Sequence, residues 1–317
     1  MHIAMLTTND PAGVAIQMAK AVNRLTPHRC RLLTSEIRYN FLFEKDLHLP
    51  FLDQAGLDEV EEVLRSSDIF HFHLIYDEQL RLGPFVVKDF IKGKRIVHHH
   101  HGHPDFRANP DKYRDKYIRL GRKNLLVSTP DLLHKLPEAI WLPNFVPLNE
   151  PLYLPAAPVE GRLRLAHSPT RRELKNTDLL VDVVRRLQRR FPHLELDLIE
   201  NTLYAECLRR KQAADIVFDH MQGYYGVSSL EALSQGKPTI AGLDDWNIGC
   251  VKEFFGCLDI PWVQARDDAS LETALDRLCM DAGLRAAVGQ ASRDFMEHYW
   301  NEEVVVDRLI AFYEQAV

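Results

Sequence analysis

Cysteine is scarce in this 317-residue chain, which has only Cys30, Cys207, Cys250, Cys257 and Cys279. The number is odd and no two stand at knuckle spacing, so neither a disulfide framework nor a thiolate metal site is expected. Long apolar runs are also missing, which excludes a membrane span of ordinary length. Basic charge is not in excess: the formal net charge is −6 and the pI about 6.2, so nucleic acid is not an expected partner. The opening Met1-His2-Ile3-Ala4-Met5-Leu6 enters a strand pattern directly. It has neither the basic region nor the small-residue cleavage site of a secretory leader. A reducing cytoplasm is the simplest compartment these absences suggest.

What is present is a folded chain's composition, 46% hydrophobic and 26% charged, long enough for two domains. Short apolar runs alternate with longer helical patterns, the mark of βαβ units and parallel sheets. Strands are expected at residues 3–6, 31–34, 69–73, 95–99, 125–128 and 139–142, then at 163–167, 194–199, 216–219 and 238–241. Between the two sets, residues 143–158 carry five prolines, which forbid regular structure and mark a linker. The tail reads as helices over 291–297 and 304–316, broken near Tyr299-Trp300-Asn301, with Val305, Leu309 and Phe312 on one apolar face.

The densest motif is Gly223-Tyr-Tyr-Gly-Val-Ser-Ser-Leu-Glu-Ala-Leu-Ser-Gln-Gly-Lys-Pro-Thr-Ile-Ala241. It predicts a tight loop, a helix over 227–235 and a buried strand. Gly236 falls where a left-handed C-terminal cap is expected, and Pro238 prevents continuation. The first-turn N–H groups of such a helix favour an anion such as a diphosphate. Glu231, one turn in, is placed to accept from a pair of sugar hydroxyls. A first-turn glutamate that only complements the helix dipole would look the same in this segment alone.

This motif resembles the nucleotide-sugar signature of the retaining glycosyltransferases of family 4, Glu-x-Phe-Gly-x-x-x-Leu-Glu-Ala followed by Gly-x-Pro. Tyr225-Gly226, Leu230-Glu231-Ala232 and Gly236-Lys237-Pro238 match it in order and spacing, while Gly223 stands where the family has its first glutamate. The resemblance implies an α/β chain of GT-B architecture, two facing Rossmann-like domains with parallel sheets and a C-terminal crossover helix. The expected bounds are 1–145 plus 299–317 for the first domain, 146–160 for the linker and 161–298 for the nucleotide-sugar domain. It further implies that Glu231 holds the nucleotide ribose, with Tyr225, Gly226, Val227 and Ser228 around the donor.

Three other loops follow strands. Leu165-Ala-His-Ser-Pro-Thr-Arg-Arg-Glu-Leu-Lys-Asn-Thr-Asp178 leads into a helix starting near Thr177 or Asp178. By the resemblance, Lys175 and either Arg171 or Arg172 hold the donor diphosphate, where fixed cations stabilise the charge that grows on the leaving group. In Val97-His-His-His-His-Gly-His-Pro-Asp-Phe-Arg107 the histidines alternate across a strand, so the four adjacent ones cannot converge on one ion. No metal is expected, and His101 or His99, which share a side, resemble the family's donor-facing histidine, with Arg107 as a further anion contact. The loop Thr7-Thr-Asn-Asp-Pro-Ala-Gly13 resembles the family's first glycine-containing loop, with Gly13 the residue of interest. It lacks a full Gly-x-Gly-x-x-Gly. Finally, residues 107–123 are basic, with Tyr113, Tyr117 and Leu120 at helical spacing. Such a segment suits either a solvated helix with its tyrosines turned inward or peripheral contact with the inner face of an anionic membrane.

The resulting expectation is retaining transfer of a sugar from a UDP-, GDP- or similar nucleotide-diphosphate donor to a saccharide or lipid-linked acceptor, in bacterial-type glycan or glycoconjugate synthesis. No cofactor beyond the donor substrate is expected. A non-hydrolysing nucleotide-sugar epimerase of the same fold, and a non-catalytic GT-B-like binding protein, are the rival readings.

Overall fold

The computed structural model describes residues 1–38, 42–157 and 161–316. The end of the expected linker, 158–160, and the last residue of the expected terminal segment, 317, lie outside the described residues. Contacts divide the chain into two compact units, one formed by Met1–Phe145 with the segment from Glu302 onward, the other by Val146–Asn301.

The first unit runs β1 (His2–Leu6), α1 (Val14–Leu25), β2 (Arg29–Thr34), β3 (Leu47–His48), α2 (Gln54–Ser66), β4 (Ile69–His73), β5 (Arg81–Leu82), β6 (Phe85–Val86), β7 (Arg95–His100), α3 (Pro104–Ala108), α4 (Pro110–Leu120), β8 (Asn124–Val127) and β9 (Ile140–Trp141). Seven strands form a parallel sheet in the order β3-β2-β1-β4-β7-β8-β9, and β5 and β6 make a separate hairpin. All five residues of β4, Ile-Phe-His-Phe-His, are buried. That is how a central parallel strand with both faces covered behaves. Phe70 and Phe72 join Leu6, Leu33, Val60 and Leu64 in the core on one face. His71 and His73 project from the other.

The second unit runs β10 (Leu163–His167), α5 (Thr177–Leu187), β11 (Leu194–Leu198), α6 (Tyr204–Gln212), β12 (Ile216–Phe218), α7 (Val227–Ser234), β13 (Thr239–Ala241), α8 (Asp245–Phe255), β14 (Val263–Gln264), α9 (Asp268–Met280) and α10 (Ala282–His298). Its five-stranded parallel sheet has the order β11-β10-β12-β13-β14. Leu163, Leu165, Leu180, Val183, Leu271 and Leu275 fill one side, and Ala166, Val217 and Ala232 pack on the other. The order reverses between β10 and β12, the switch point where loops leaving strand C-termini diverge and ligands bind in open α/β sheets.

α11 (Glu302–Gln315) belongs to the first unit, with Val305, Leu309 and Tyr313 buried. The proline-rich segment after residue 145 is not a loose tether. Val146, Leu148 and Tyr153 are buried, and the Arg293 guanidinium donates to the Leu148, Tyr153 and Ser234 carbonyls at 3.2, 3.1 and 2.7 Å. Among the described residues no helix is long and apolar enough to cross a membrane.

Candidate functional site

Two loops meet at the switch point of the second sheet. The first leaves β10 after His167, whose ring bonds the Phe218 carbonyl at 3.0 Å and the Thr177 hydroxyl at 2.9 Å. It passes through exposed Arg171 and Arg172 to Lys175 and Asn176. Asn176 adopts a left-handed backbone (φ 54°), which this residue type tolerates. Its Oδ1 accepts from the Met221 N–H at 2.9 Å, tying the loop to the one that follows β12. Arg172 is paired with Glu200, Nε to Oε1 at 2.8 Å. Arg171 makes no ion pair among the described residues.

Lys175 turns onto Asp219, at the end of β12, with Nζ 2.9 Å from Oδ1. Asp219 Oδ2 accepts from the Gly226 N–H at 2.6 Å and the Ser229 hydroxyl at 2.7 Å. The N-terminus of α7 is therefore already faced by a carboxylate of the chain itself, where sequence analysis expected free N–H groups. Burial alone would raise the Asp219 carboxyl. The His220 and Lys175 charges, with hydrogen bonds from Lys175 and Ser229, hold it well below the usual range. Gly226 is required for space rather than for its dihedrals: a Cβ there would lie 3.0 Å from both Asp219 Oδ2 and Lys175 Nζ. Gly223 is different, with φ +89°, and a Cβ would approach Asp244 Oδ2 to 3.1 Å. A glutamate at this position would be strained, a physical reason for the departure from the family motif.

Glu231 is where the structure changes the expectation most. It is only 3% exposed. Oε1 accepts from the Tyr204 hydroxyl at 2.6 Å, and Oε2 pairs with Lys211 on α6. Lys211 also reaches Ser228 Oγ at 2.8 Å, which lies 3.1 Å from Ser168 Oγ on the loop after β10. Burial works against the Lys211 charge, but Cys207 and Glu231 beside it raise its pKa overall. The carboxylate is thus an anchor between α6 and α7. Tyr225 is also turned inward: it is buried, with its ring 5.0 Å from that of Trp300 and 5.7 Å from that of Trp262. Val227 and Ser228 are half-buried at the start of the helix.

In the first unit, Gly13 takes the left-handed conformation (φ 66°) at the start of α1, and a Cβ would meet the Phe43 ring at 2.6 Å. The α1 N-terminus is capped by Asp10, which accepts from the Ala15 and Ile16 N–H groups at 3.2 and 2.9 Å. Burial pushes this carboxyl up to about 6 against those N–H bonds. Between about pH 4, the ordinary aspartate value, and pH 6, the folded chain holds a proton the unfolded chain has released. This group's contribution to stability therefore rises as pH falls through that window. The unfolding free energy of Asp10→Asn minus that of wild type should shrink from pH 7 to pH 4.5. A difference flat with pH would contradict the assignment.

Of the two histidines put forward, His99 is fully buried on the sheet face that carries His71, while His101, past the strand end, is partly accessible. His101 Nε2 lies 2.9 Å from His73 Nδ1, and burial lowers its pKa to about 4. Strand geometry explains the difference, since β7 ends at His100 and the chain turns outward at His101-Gly102. Arg107, expected as an anion contact, pairs with Asp131 and donates to the Gly102 carbonyl. In the basic segment, Tyr113 and Tyr117 are buried while Leu120 is 42% exposed. Lys112, Arg114, Lys116 and Arg122 pair with Asp105, Glu138, Asp77 and Glu78.

Sequence reasoning missed Asp219, Ser229, Asn176, Tyr204 and Lys211. The one local signal was an acid ending a buried strand just before the glycine loop. Lys211 sits in Arg209-Arg210-Lys211, which reads as a solvated helix face, and only the tertiary fold delivers it to Glu231.

No family model matches the chain, and no curated protein matches it by sequence. Solved structures do. Over 99% of its length the chain is similar to sucrose-phosphate synthase (tll1590) from Thermosynechococcus elongatus, at 14% identity, a TM-score of 0.62 and 98% coverage of that chain. It is similar over the same share to Anabaena Alr3699/HepE, solved in complex with UDP-glucose, at 12% identity, TM-score 0.64 and 99% coverage. A glycosyltransferase from Rickettsia africae ESF-5 aligns at 12% identity, TM-score 0.61 and 97% coverage. With two units built on parallel sheets, the fold is the two-domain GT-B fold.

Proposed function

We propose that this chain is a nucleotide-sugar-dependent glycosyltransferase whose donor binds at the ends of β10 and β12 in the second unit. The observation that carries the reading is the convergence of Lys175, Gly226 and the α7 N-terminus at the sheet's switch point. A cation and a helix N-terminus aimed at one spot form an anion site. HepE, which shares the fold, was solved with UDP-glucose, which supports a uridine nucleotide as the first donor to test.

In the retaining, family-4-like form of this reading, the acceptor oxygen bonds to the anomeric carbon on the face the donor phosphate leaves. The bond from that carbon to the phosphate oxygen breaks, and its electron pair stays on the diphosphate. The acceptor proton passes to the same phosphate oxygen. Lys175, with Arg171 as the loop arginine that makes no ion pair among the described residues, stabilises the departing charge. No protein nucleophile or metal is invoked.

A second reading has its own support. Lys175 and the Gly226 N–H already face the Asp219 carboxylate, and both Glu231 oxygens are engaged. A binding protein that kept the fold without turnover would look like this. Thermal melts of the full chain with UDP, GDP, ADP and TDP, paired with an assay for nucleoside diphosphate release from the corresponding sugars, separate the two. A ligand present at a hundredfold excess over its Kd stabilises by about 2.7 kcal/mol. Binding with release supports the enzyme, binding without release the scaffold, and no shift with any nucleotide sinks both.

A further inference from the structure

The histidine-rich strands of the first unit carry a feature that the donor site does not use. β4 and β7 pair in parallel with His71 opposite Val97 and His73 opposite His99. Side chains of one parity share a face, so His71, His73, His99 and His101 gather on one side of the sheet, while His98 and His100 lie on the other. Alternation does prevent the four adjacent histidines from converging, as expected from sequence, but the neighbouring strand supplies the missing partners. His71, His73 and His99 are all buried, and one ring nitrogen from each lies within 4.8 Å of the other two.

The hydrogen bonds around this trio have the form of a metal site's outer shell. His71 Nδ1 bonds the Tyr313 hydroxyl of α11 at 2.6 Å, which leaves Nε2 as its nitrogen without a partner among the described residues. His73 Nδ1 bonds His101 Nε2 at 2.9 Å, and again Nε2 is left over. Neither nitrogen of His99 has a partner among the described residues, although the residue is fully buried. Ligating histidines characteristically spend their second ring nitrogen on such an orienting bond, which fixes the tautomer and aims the other lone pair at the ion. Buried polar atoms without partners are rare enough in native proteins to require a cause. Zinc–imidazole bonds of about 2.1 Å in tetrahedral geometry place the nitrogens about 3.4 Å apart. The His71 and His73 rings now stack with centroids 4.3 Å apart, so reaching that spacing requires the rings to turn about their side-chain bonds.

We propose that His71, His73 and His99 bind a divalent transition-metal ion of imidazole preference, zinc foremost, with Tyr313 and His101 as positioning residues. All-nitrogen ligation with no thiolate or carboxylate suits zinc, copper or nickel and disfavours magnesium and calcium. Because Tyr313 comes from α11, the ion would fasten the terminal helix to the centre of the first sheet. This inference is independent of the donor site and of any transferase activity.

The test uses the full chain freed of any affinity tag, stripped with chelator, then loaded with zinc or cobalt chloride and desalted. One equivalent of metal per chain is expected, with a higher melting temperature and, for cobalt, visible bands of a low-coordinate nitrogen site. His99→Leu should abolish stoichiometric binding. Tyr313→Phe should weaken it about 10- to 100-fold, the usual effect of losing an orienting partner. His98→Leu, altered on the opposite face, should bind like wild type. X-ray absorption of the zinc-loaded wild type reports the ligand set even if a variant fails to fold, and three imidazoles are expected. Absence of stoichiometric metal in the folded wild type overturns the proposal. So does metal retained undiminished by folded His99→Leu, which would locate it elsewhere.

Discussion

Glu231→Ala is expected to destabilise the second unit by about 3–5 kcal/mol, the cost of leaving one charge of a buried pair uncompensated. For a unit of this size that lowers the melting temperature by roughly 6–20 °C. The cause is local. Lys211 is 2% exposed, and its ammonium has Glu231 as its one carboxylate ion-pair partner among the described residues, with Ser228 as a neutral one. Removing the carboxylate also takes one hydrogen-bond partner from the hydroxyl of half-buried Tyr204, leaving the Tyr153 hydroxyl at 3.1 Å. Glu231→Gln keeps an acceptor without the charge and should fall between the two. The double variant Glu231→Leu with Lys211→Met should recover much of the loss, since apolar replacement of a whole buried ion pair is often neutral or favourable. Calorimetry of the four proteins tests this order. A wild-type melting temperature for Glu231→Ala would mean that the carboxylate is not held in this network.

The consequence reaches the donor reading. Weakened nucleotide binding in Glu231→Ala would follow from a loosened α6–α7 contact as readily as from a lost ribose contact. The stable double variant lacks the carboxylate but keeps the packing, so it is the proper probe. If it still binds nucleotide as wild type does, Glu231 serves the fold and not the ribose.

The architecture was legible in the sequence to a large degree, because it is written in local periodicity. The strands expected at 69–73 and 163–167 are found with those bounds. α7 starts at Val227, and Gly236 takes the left-handed conformation after it. Missed were β3, β5, β6 and β14, two residues each, too short to leave a periodic trace. Helix α10 is also far longer than expected, Ala282–His298, because its polar exposed face hides it from an apolar-pattern reading. The site was legible only as a set of neighbourhoods. Lys175 and Gly226 do come together, as two strand-end loops at one switch point should. What occupies the space between them, Asp219, was not legible, nor was the Lys211–Glu231 pair, because contacts across 44 and 20 residues of sequence leave no spacing rule. The histidines show the same limit: alternation within β7 was read correctly, while register with β4 exists only in the folded sheet.

Lys175→Ala is expected to lower turnover about 10²- to 10³-fold if the chain transfers sugar, the range found when one fixed charge-stabilising group is removed from a developing anion. Nucleoside diphosphate binding should weaken much less, because an interaction that strengthens as the leaving charge grows acts on the rate more than on the ground state. Structure supplies a competing explanation, since Lys175 also balances the buried Asp219 carboxylate at 2.9 Å. Lys175→Ala with Asp219→Asn separates them. Neutralising both removes the uncompensated charge while Gly226 and Ser229 retain an acceptor oxygen at residue 219. A lysine that acts on the leaving diphosphate leaves the double variant as slow as the single one, although it melts closer to wild type. A lysine that only offsets Asp219 lets the double variant regain turnover. Nucleoside diphosphate release under saturating donor, measured beside melting temperature for all three proteins, therefore assigns Lys175 to the reaction or to the fold.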